Sequence, residues 1–322
     1  MKRIGLLTSG GDCPGMNPCI RGIVRYAIYK GLEVIGIKRG FAGLIDNDMQ
    51  PMDERSVSGI IYKGGTILKT ARSIYFKEKE GQEKAVKNIK NIGIDALIVI
   101  GGNGSFRGAQ VLDEVWGIPT VGVPATIDND IWGTDFTIGF LTAVTTALEA
   151  IDKIRDTATS HERLFLVEVM GRTSGFIALW AGVAGGAEEI LIPEVPTDID
   201  KICARLEEGR RRGKTSSIIV VAEGDEAGNA FEIAAKIKKK VNYEERVVVL
   251  GHLQRGGVPS VWDRILGTKL GVAAVEALME GKRNVMVGIV DGKVKISPLE
   301  DGWRKKKEID FDLYRLSQIM AI

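Results

Sequence analysis

Cysteine is scarce in this chain: three in 322 residues, Cys13, Cys19 and Cys203, an odd number and widely spaced. That excludes a disulfide scaffold and fits a reduced, cytosolic chain. Histidine is scarcer still, and His161 and His252 give no material for a His-rich metal site. Excess charge of one sign is missing too. The 44 basic and 42 acidic residues leave a formal +2, no field with which to hold nucleic acid or an acidic membrane. Long apolar runs are absent. The opening MKRIGLLTSGG is too short in apolar residues for a secretory signal, and no stretch reaches membrane-spanning length. What remains is an ordinary globular balance, 44% apolar and 27% charged, which excludes disorder. The length reads as two domains or one large α/β unit, able to bury roughly three-quarters of its unfolded surface without a staple. Glycine alone is abundant, 40 residues or about 12% against a typical ~7%. Such an excess suggests backbone drawn close to ligands.

Short β-branched runs recur at 3–9, 33–38, 96–102, 119–125, 163–170, 188–195, 216–224 and 246–253. Continuous apolar strands of this kind belong to parallel sheets buried on both faces, and the spacing leaves room for crossover helices. Amphipathic periodicity predicts helices at 16–30, 78–92, 139–156, 198–212, 229–241 and 260–280. The class is α/β, doubly wound, with mostly parallel sheets in two Rossmann-like lobes. Asp291-Gly292, between two alternating runs in 284–299, signals a hairpin that breaks the βα rhythm. Composition hints at a lobe boundary near 138–142.

Four glycine-rich or acidic turns follow expected strands: TSGGDCPGMN (8–17), GGNGSFRG (101–108), PATIDND (124–130) and GHLQRGG (251–257). In open α/β sheets, ligands bind at the carboxyl ends of strands. Gly10 and Gly11 let backbone N–H groups approach an anion ahead of a helix N-terminus. Any one such turn is equally well a tight connection needing positive φ; four together favour ligand binding. Known phosphate motifs fail. Gly209-Arg-Arg-Arg-Gly213-Lys214-Thr215 is one residue short of a Walker A loop and follows a helix rather than a strand. In Gly102-Asn-Gly104-Ser-Phe-Arg107 the third glycine of a dinucleotide fingerprint comes one position late. No kinase H-R-D loop is present.

Asp128 and Asp130 lie two apart after a strand, so both carboxylates can face one side. One can take a proton from a hydroxyl while the other meets a metal-bound phosphate, although an Asx-turn capping the loop is the plainer reading. Arg172, after Met170-Gly171, is either a phosphate clamp or a surface ion pair. Glu223 ends another strand, Arg163 and Arg246 open strands as edge charges do, and His252 and Arg255 flank glycines in a way that suits a sugar phosphate.

The runs LTSGGDCPGMN, GGNGS, TIDND, SHER, VEVMGR and LGHLQRGG, in this order and spacing, resemble the bacterial ATP-dependent 6-phosphofructokinases nearly end to end. The resemblance implies transfer of the γ-phosphoryl of Mg2+-ATP to the 1-hydroxyl of fructose 6-phosphate. It implies Asp128 as base, Arg172 as the charge stabiliser and Thr126 near the reacting centre. Gly11, Arg72, Ser73, Gly102, Asn103, Gly104 and Ser105 would hold ATP, and Asp130 would act near the metal. Met170, Gly171, Glu223, His252 and Arg255 would bind the sugar phosphate with Thr126, Asp128, Asp130 and Arg172, while Arg163 and Arg246 reach it from a neighbouring subunit of a homotetramer. An effector site for ADP and phosphoenolpyruvate would use Arg21, Arg25, Arg155, Gly186, Glu188, Arg212 and Lys214. The ATP lobe would be 1–140 with 257–303, and the fructose 6-phosphate lobe 141–256 with 304–322.

Three positions depart from the family's usual pattern. Asn103 stands where a magnesium-side Asp is common, which shifts the metal role toward Asp130. Ala125 replaces a Gly and is not the Lys of the pyrophosphate-dependent branch. Glu54, beside Arg55, stands where an effector-binding Arg is common. Three rivals are weighed: a pyrophosphate-dependent phosphofructokinase, a non-catalytic sugar-phosphate-binding regulator, and an NAD-dependent oxidoreductase. Gly104 and Ala125 speak against the first, intact Asp128 and Arg172 against the second, and the failed fingerprint against the third.

Overall fold

A computed structural model describes residues 1–161, 163–241 and 243–321. Glu162, within the Ser160-to-Arg163 run, lies outside the described residues. The first half of the chain runs β1 (Arg3–Ser9), α1 (Met16–Tyr29), β2 (Glu33–Ile37), α2 (Phe41–Asp46), β3 (Met49–Met52), α3 (Lys79–Ile92), β4 (Ala96–Gly101), α4 (Asn103–Glu114), β5 (Thr120–Pro124) and α5 (Phe140–His161). Then come β6 (Leu164–Val169), α6 (Phe176–Ala184), β7 (Glu189–Leu191), α7 (Ile199–Arg211), β8 (Ser217–Ala222), α8 (Ala230–Lys238) and β9 (Glu245–Val249). The chain ends with α9 (Val261–Met279), β10 (Val285–Val290), β11 (Lys293–Pro298), α10 (Asp301–Arg304) and α11 (Phe311–Met320).

Two compact units result. The first comprises residues 1–126, 130–142 and 255–307; the second comprises 127–129, 143–254 and 308–322. The first unit carries a seven-stranded sheet in the order β11-β10-β5-β4-β1-β2-β3. Its five central strands pair in parallel and its two edge strands antiparallel. β1 and β4 are buried nearly throughout because helices cover both faces, the reason their sequences read as unbroken apolar runs. Leu7, Leu97, Val99, Phe106, Leu112 and Leu299 centre its core. The second unit has four parallel strands, β7-β8-β6-β9, and a core around Leu166, Ile219, Leu206 and Ile233.

The expected α/β class and parallel sheets hold. The hairpin also forms: Val290 pairs with Lys293 around Asp291 and Gly292, both at positive φ as a two-residue turn of this hand requires. The strand expected over 188–195 ends at Leu191, because Pro193 lacks the N–H a ladder needs. Periodicity did not mark α4, although the turn at 101–108 reads as leading from a strand into a helix. Its first turn holds Gly104 and its middle Gly108, a composition that weakens local helix preference, so packing decides it. α6 is apolar all round and therefore has no periodicity to read.

Candidate active site

Because β5, β4 and β1 are neighbours, three of the four turns meet at one edge of the first unit's sheet. The chain leaves β1 toward β2 and returns on the other side of β1 as β4, so this edge is a topological switch point where crevices form. Gly10 and Gly11 follow β1, Gly102 to Ser105 open α4, and Thr126 follows β5. Gly102 is extended and precedes α4, leaving the first N–H groups of a twelve-residue helix at the crevice. Gly104 is exposed, and a Cβ there would meet nothing within 4 Å. Packing therefore does not require this glycine, and the space beside it stays open. Thr70 Oγ donates to Gly10 O at 2.7 Å, tying the loop that carries Arg72 and Ser73 to the end of β1. Arg72 is exposed, and Ser73 Oγ accepts from Phe76 N–H. Arg255 lies against Gly11 and donates to Asp12 O at 3.2 Å. Sequence reading grouped Arg255 with the sugar-phosphate residues; its contacts here are with the first unit's glycine turn.

Asn103 Nδ2 donates to Asp130 Oδ2 at 2.8 Å, while Asn103 Oδ1 is buried without a hydrogen-bond partner. One carboxylate and one orphaned amide oxygen are hard donors that suit magnesium. They suit an ion whose remaining ligands are phosphate and water oxygens rather than one caged by protein. Accordingly, no group of three His, Cys, Asp or Glu stands poised for a metal among the described residues.

In the second unit, Asp128 is 2% exposed, and Arg172 Nε stands 3.5 Å from its Oδ2. The rest of the Arg172 side chain is half exposed. β6 delivers this arginine through Met170 and Gly171. Gly171 has φ 147°, and a Cβ there would strike Ser174 O at 2.3 Å. Arg172 itself sits at φ 54°, a left-handed conformation uncommon for a side-chain-bearing residue and met at functional sites. One bond holds its backbone, the Arg172 N–H donating to Glu223 after β8 at 2.8 Å, while Ser174 Oγ donates to Asp128 O and to Gly171 O just before it. β6, β8 and β9 are neighbours in the order β8-β6-β9, so Met170, Glu223 and the turn with His252 converge by topology. His252 is exposed in that turn. Gln254 is fully buried, accepts from Met170 N–H and donates to Gly251 O. Sequence reading missed Gln254 and Ser174, for neither type announces chemistry. The only signal for Gln254 was lying inside the LGHLQRGG run; Ser174 lies two residues beyond VEVMGR and had none. Arg163 and Arg246 share Glu244, and the hydrogen bond from Arg163 holds that carboxyl below its ordinary range. The buried Nε of Arg163 has no partner.

Four of the expected effector residues form one network in the second unit. Arg155 donates to Gly185 O and Gly186 O and stands 3.7 Å from Glu188, whose other cation is Lys214 at 2.8 Å. Glu188, Lys214 and Arg212 line a cavity of about 740 Å³, with Lys201, Arg205 and Glu189 further round its wall. Arg21 and Arg25 belong to α1 in the first unit, and Glu54 and Arg55 are exposed there.

A family model described as phosphofructokinase matches residues 3–278. The ATP-dependent 6-phosphofructokinase 1 of Thermus thermophilus is 56% identical over 322 residues, covering both chains in full. The ATP-dependent 6-phosphofructokinase of Halalkalibacterium halodurans matches equally, 56% over 322 residues with full coverage of each. Among solved structures, phosphofructokinase from Saccharomyces cerevisiae superposes with a TM-score of 0.88 at 35% identity, over 94% of this chain and 44% of the yeast chain. This chain thus spans less than half of that relative. A pyrophosphate-dependent phosphofructokinase from Marinobacter aquaeolei gives 0.84 at 25% identity, over 97% of this chain and 86% of that one.

Proposed function

The chain belongs to the phosphofructokinase family, and from that premise we propose that it transfers the γ-phosphoryl of ATP to the 1-hydroxyl of fructose 6-phosphate. The products are fructose 1,6-bisphosphate and ADP, and the step commits sugar to glycolysis. The observation that carries the mechanism is the buried Asp128 carboxylate beside Arg172. Asp128 accepts the proton of the 1-hydroxyl as the oxygen attacks; burial keeps competing water from it. Arg172 is fixed at its backbone by Glu223 and half exposed at its head, which leaves it room to turn from the carboxylate to the charge growing on the transferred phosphoryl. Thr126 sits near the reacting centre. Magnesium, when bound, neutralises phosphate charge, and Asn103 and Asp130 are the residues that would hold it.

ATP is held by the lobe 1–140 with 257–303 through Gly11, Arg72, Ser73, Gly102, Gly104 and Ser105. Fructose 6-phosphate is held by the lobe 141–256 with 304–322 through Met170, Gly171, Glu223, His252 and Arg255, and by Arg163 and Arg246 of a neighbouring subunit. In this reading the enzyme is a cytoplasmic homotetramer; the exposed Val258, Val261, Trp262 and Ile265 in and before α9 support an association surface. ADP activates and phosphoenolpyruvate inhibits through the cations around Glu188 together with Arg21 and Arg25; the ion network at Glu188 supports a phosphate-binding role. Open space at Gly104 and the small Ala125 favour ATP over pyrophosphate. A coupled assay of fructose 6-phosphate with each donor tests the reading. ATP should turn over and pyrophosphate should be nearly inert; equal rates would reassign the donor.

A further inference from the structure

Between β3 and α3 the chain crosses residues 53–78 without a strand or an α-helix, a long connection for a compact unit. Arg72 and Ser73 ride near its end. From 61 to 75 only Leu68 is buried, so apolar packing gives this stretch a single anchor. Its place is set by polar side chains beneath it. Asn17, in the first turn of α1, is 1% exposed. Its Nδ2 donates to Lys63 O at 3.0 Å and to Gly64 O at 3.1 Å, and its Oδ1 accepts from Ile67 N–H at 2.8 Å. One side-chain amide thus serves three backbone groups of the loop, as a neighbouring strand would. Thr8, fully buried near the end of β1, adds the next ties. Its Oγ donates to Lys69 O at 2.8 Å and lies 3.0 Å from Thr66 Oγ, which in turn accepts from Leu68 N–H at 3.3 Å. On the loop's other side Gly64 is pressed so close to Gly257 that a Cβ would stand 2.3 Å from its carbonyl oxygen.

We propose that Asn17 is a positioning residue for the nucleotide: it fixes the loop so that Arg72 is presented to the phosphates in one place. This rests on the reading of Arg72 and Ser73 as ATP residues given above. At 1% exposure Asn17 is too deep to meet the nucleotide itself, so its influence passes through the loop. Ordering an exposed loop costs conformational entropy, and a loop already tied leaves less of that cost to fall on binding. The amide is the group required. An Asp of the same shape has no hydrogen to give and would turn a carboxylate on two carbonyls.

The test measures binding of a non-hydrolysable ATP analogue and of fructose 6-phosphate by calorimetry, together with amide hydrogen exchange over the loop. Asn17→Ala should weaken the analogue at least about tenfold, leave fructose 6-phosphate affinity unchanged and speed exchange in the loop. Thr66→Val cuts a tie from the loop's own side and should shift the same quantities in the same direction. It carries the comparison if melting curves show that Asn17→Ala has lost its fold. Because the effect runs through Arg72, Asn17→Ala should cost little more in an Arg72→Ala background. Analogue affinity at the wild-type level in the folded variants would overturn the proposal. So would equal losses for both ligands, or losses that simply add in the double variant. Failure of wild type to bind the analogue would strike the ATP reading instead, and the exchange measurement would still decide whether the Asn17 amide holds the loop.

Discussion

At the scale of single residues, Asp128 is the sharpest commitment. Replacing it with Ser should cut kcat by roughly 10²–10⁴-fold, the usual worth of a general base, with little change in the KM for the sugar phosphate. Retention of more than a tenth of wild-type kcat in steady-state assays would mean that another group takes the proton. Lys307 makes a second residue-scale prediction, through stability. Its folded pKa, about 8, lies below the ordinary 10.5. Between those values the unfolded chain holds the proton and the native chain sheds it, so stability rises with pH across that window. The gain is on the order of 3 kcal/mol at most. Urea melts at pH 8 and pH 10.5 should show wild type gaining on Lys307→Met, and parallel shifts would refute the linkage. Asp128 and Arg172 were legible in sequence because their neighbours form a distinctive run. Lys307 was not, because its partner, the Asp135 carbonyl, lies far away in the chain and a lysine triplet ordinarily reads as a solvated face.

Among elements, the start of α5 depends on a residue of α9. Asp263 is fully buried and accepts from Gly139 N–H at 2.7 Å, Thr142 N–H at 2.8 Å and Thr142 Oγ, with Ser260 Oγ at 3.3 Å. One carboxylate thus caps α5 and accepts from the Ser260 hydroxyl that caps α9, although burial raises its pKa. Asp263→Ala would leave two buried N–H groups unsatisfied at ~1–3 kcal/mol each. Equilibrium denaturation should therefore show a loss of several kcal/mol, and a loss under 1 kcal/mol would mean that water or a side chain replaces the cap. Strand periodicity made both sheets legible, since buried parallel strands cannot hide their apolar runs. Caps such as this one pair residues remote in sequence, and a helix such as α4 owes its existence to packing over Phe106 and Leu112. Neither leaves a local trace.

For the whole molecule, the near-zero net charge leaves association to apolar surface rather than to long-range attraction. Trp262 is 68% exposed, and Val261 and Ile265 on the same helix are exposed beside it. If the proposed homotetramer uses this face, Trp262→Glu should lower the sedimentation coefficient while circular dichroism stays unchanged. An unaltered coefficient would move the interface elsewhere. Sequence alone could not mark this face, because an exposed tryptophan and a buried one are the same letter.

The first unit is assembled from three separated stretches of chain, whereas the second draws most of its substance from the single stretch 143–254. During synthesis the ribosome therefore releases β1 to β5 early, but their sheet gains β10 only after residue 285, when Val285 finds Val121. Contacts of such wide sequence separation are slow to close. The later-made unit should therefore reach protease resistance first on stalled nascent chains. The earlier-made half waits with its β5 edge open, the interval in which a folding chaperone has something to hold.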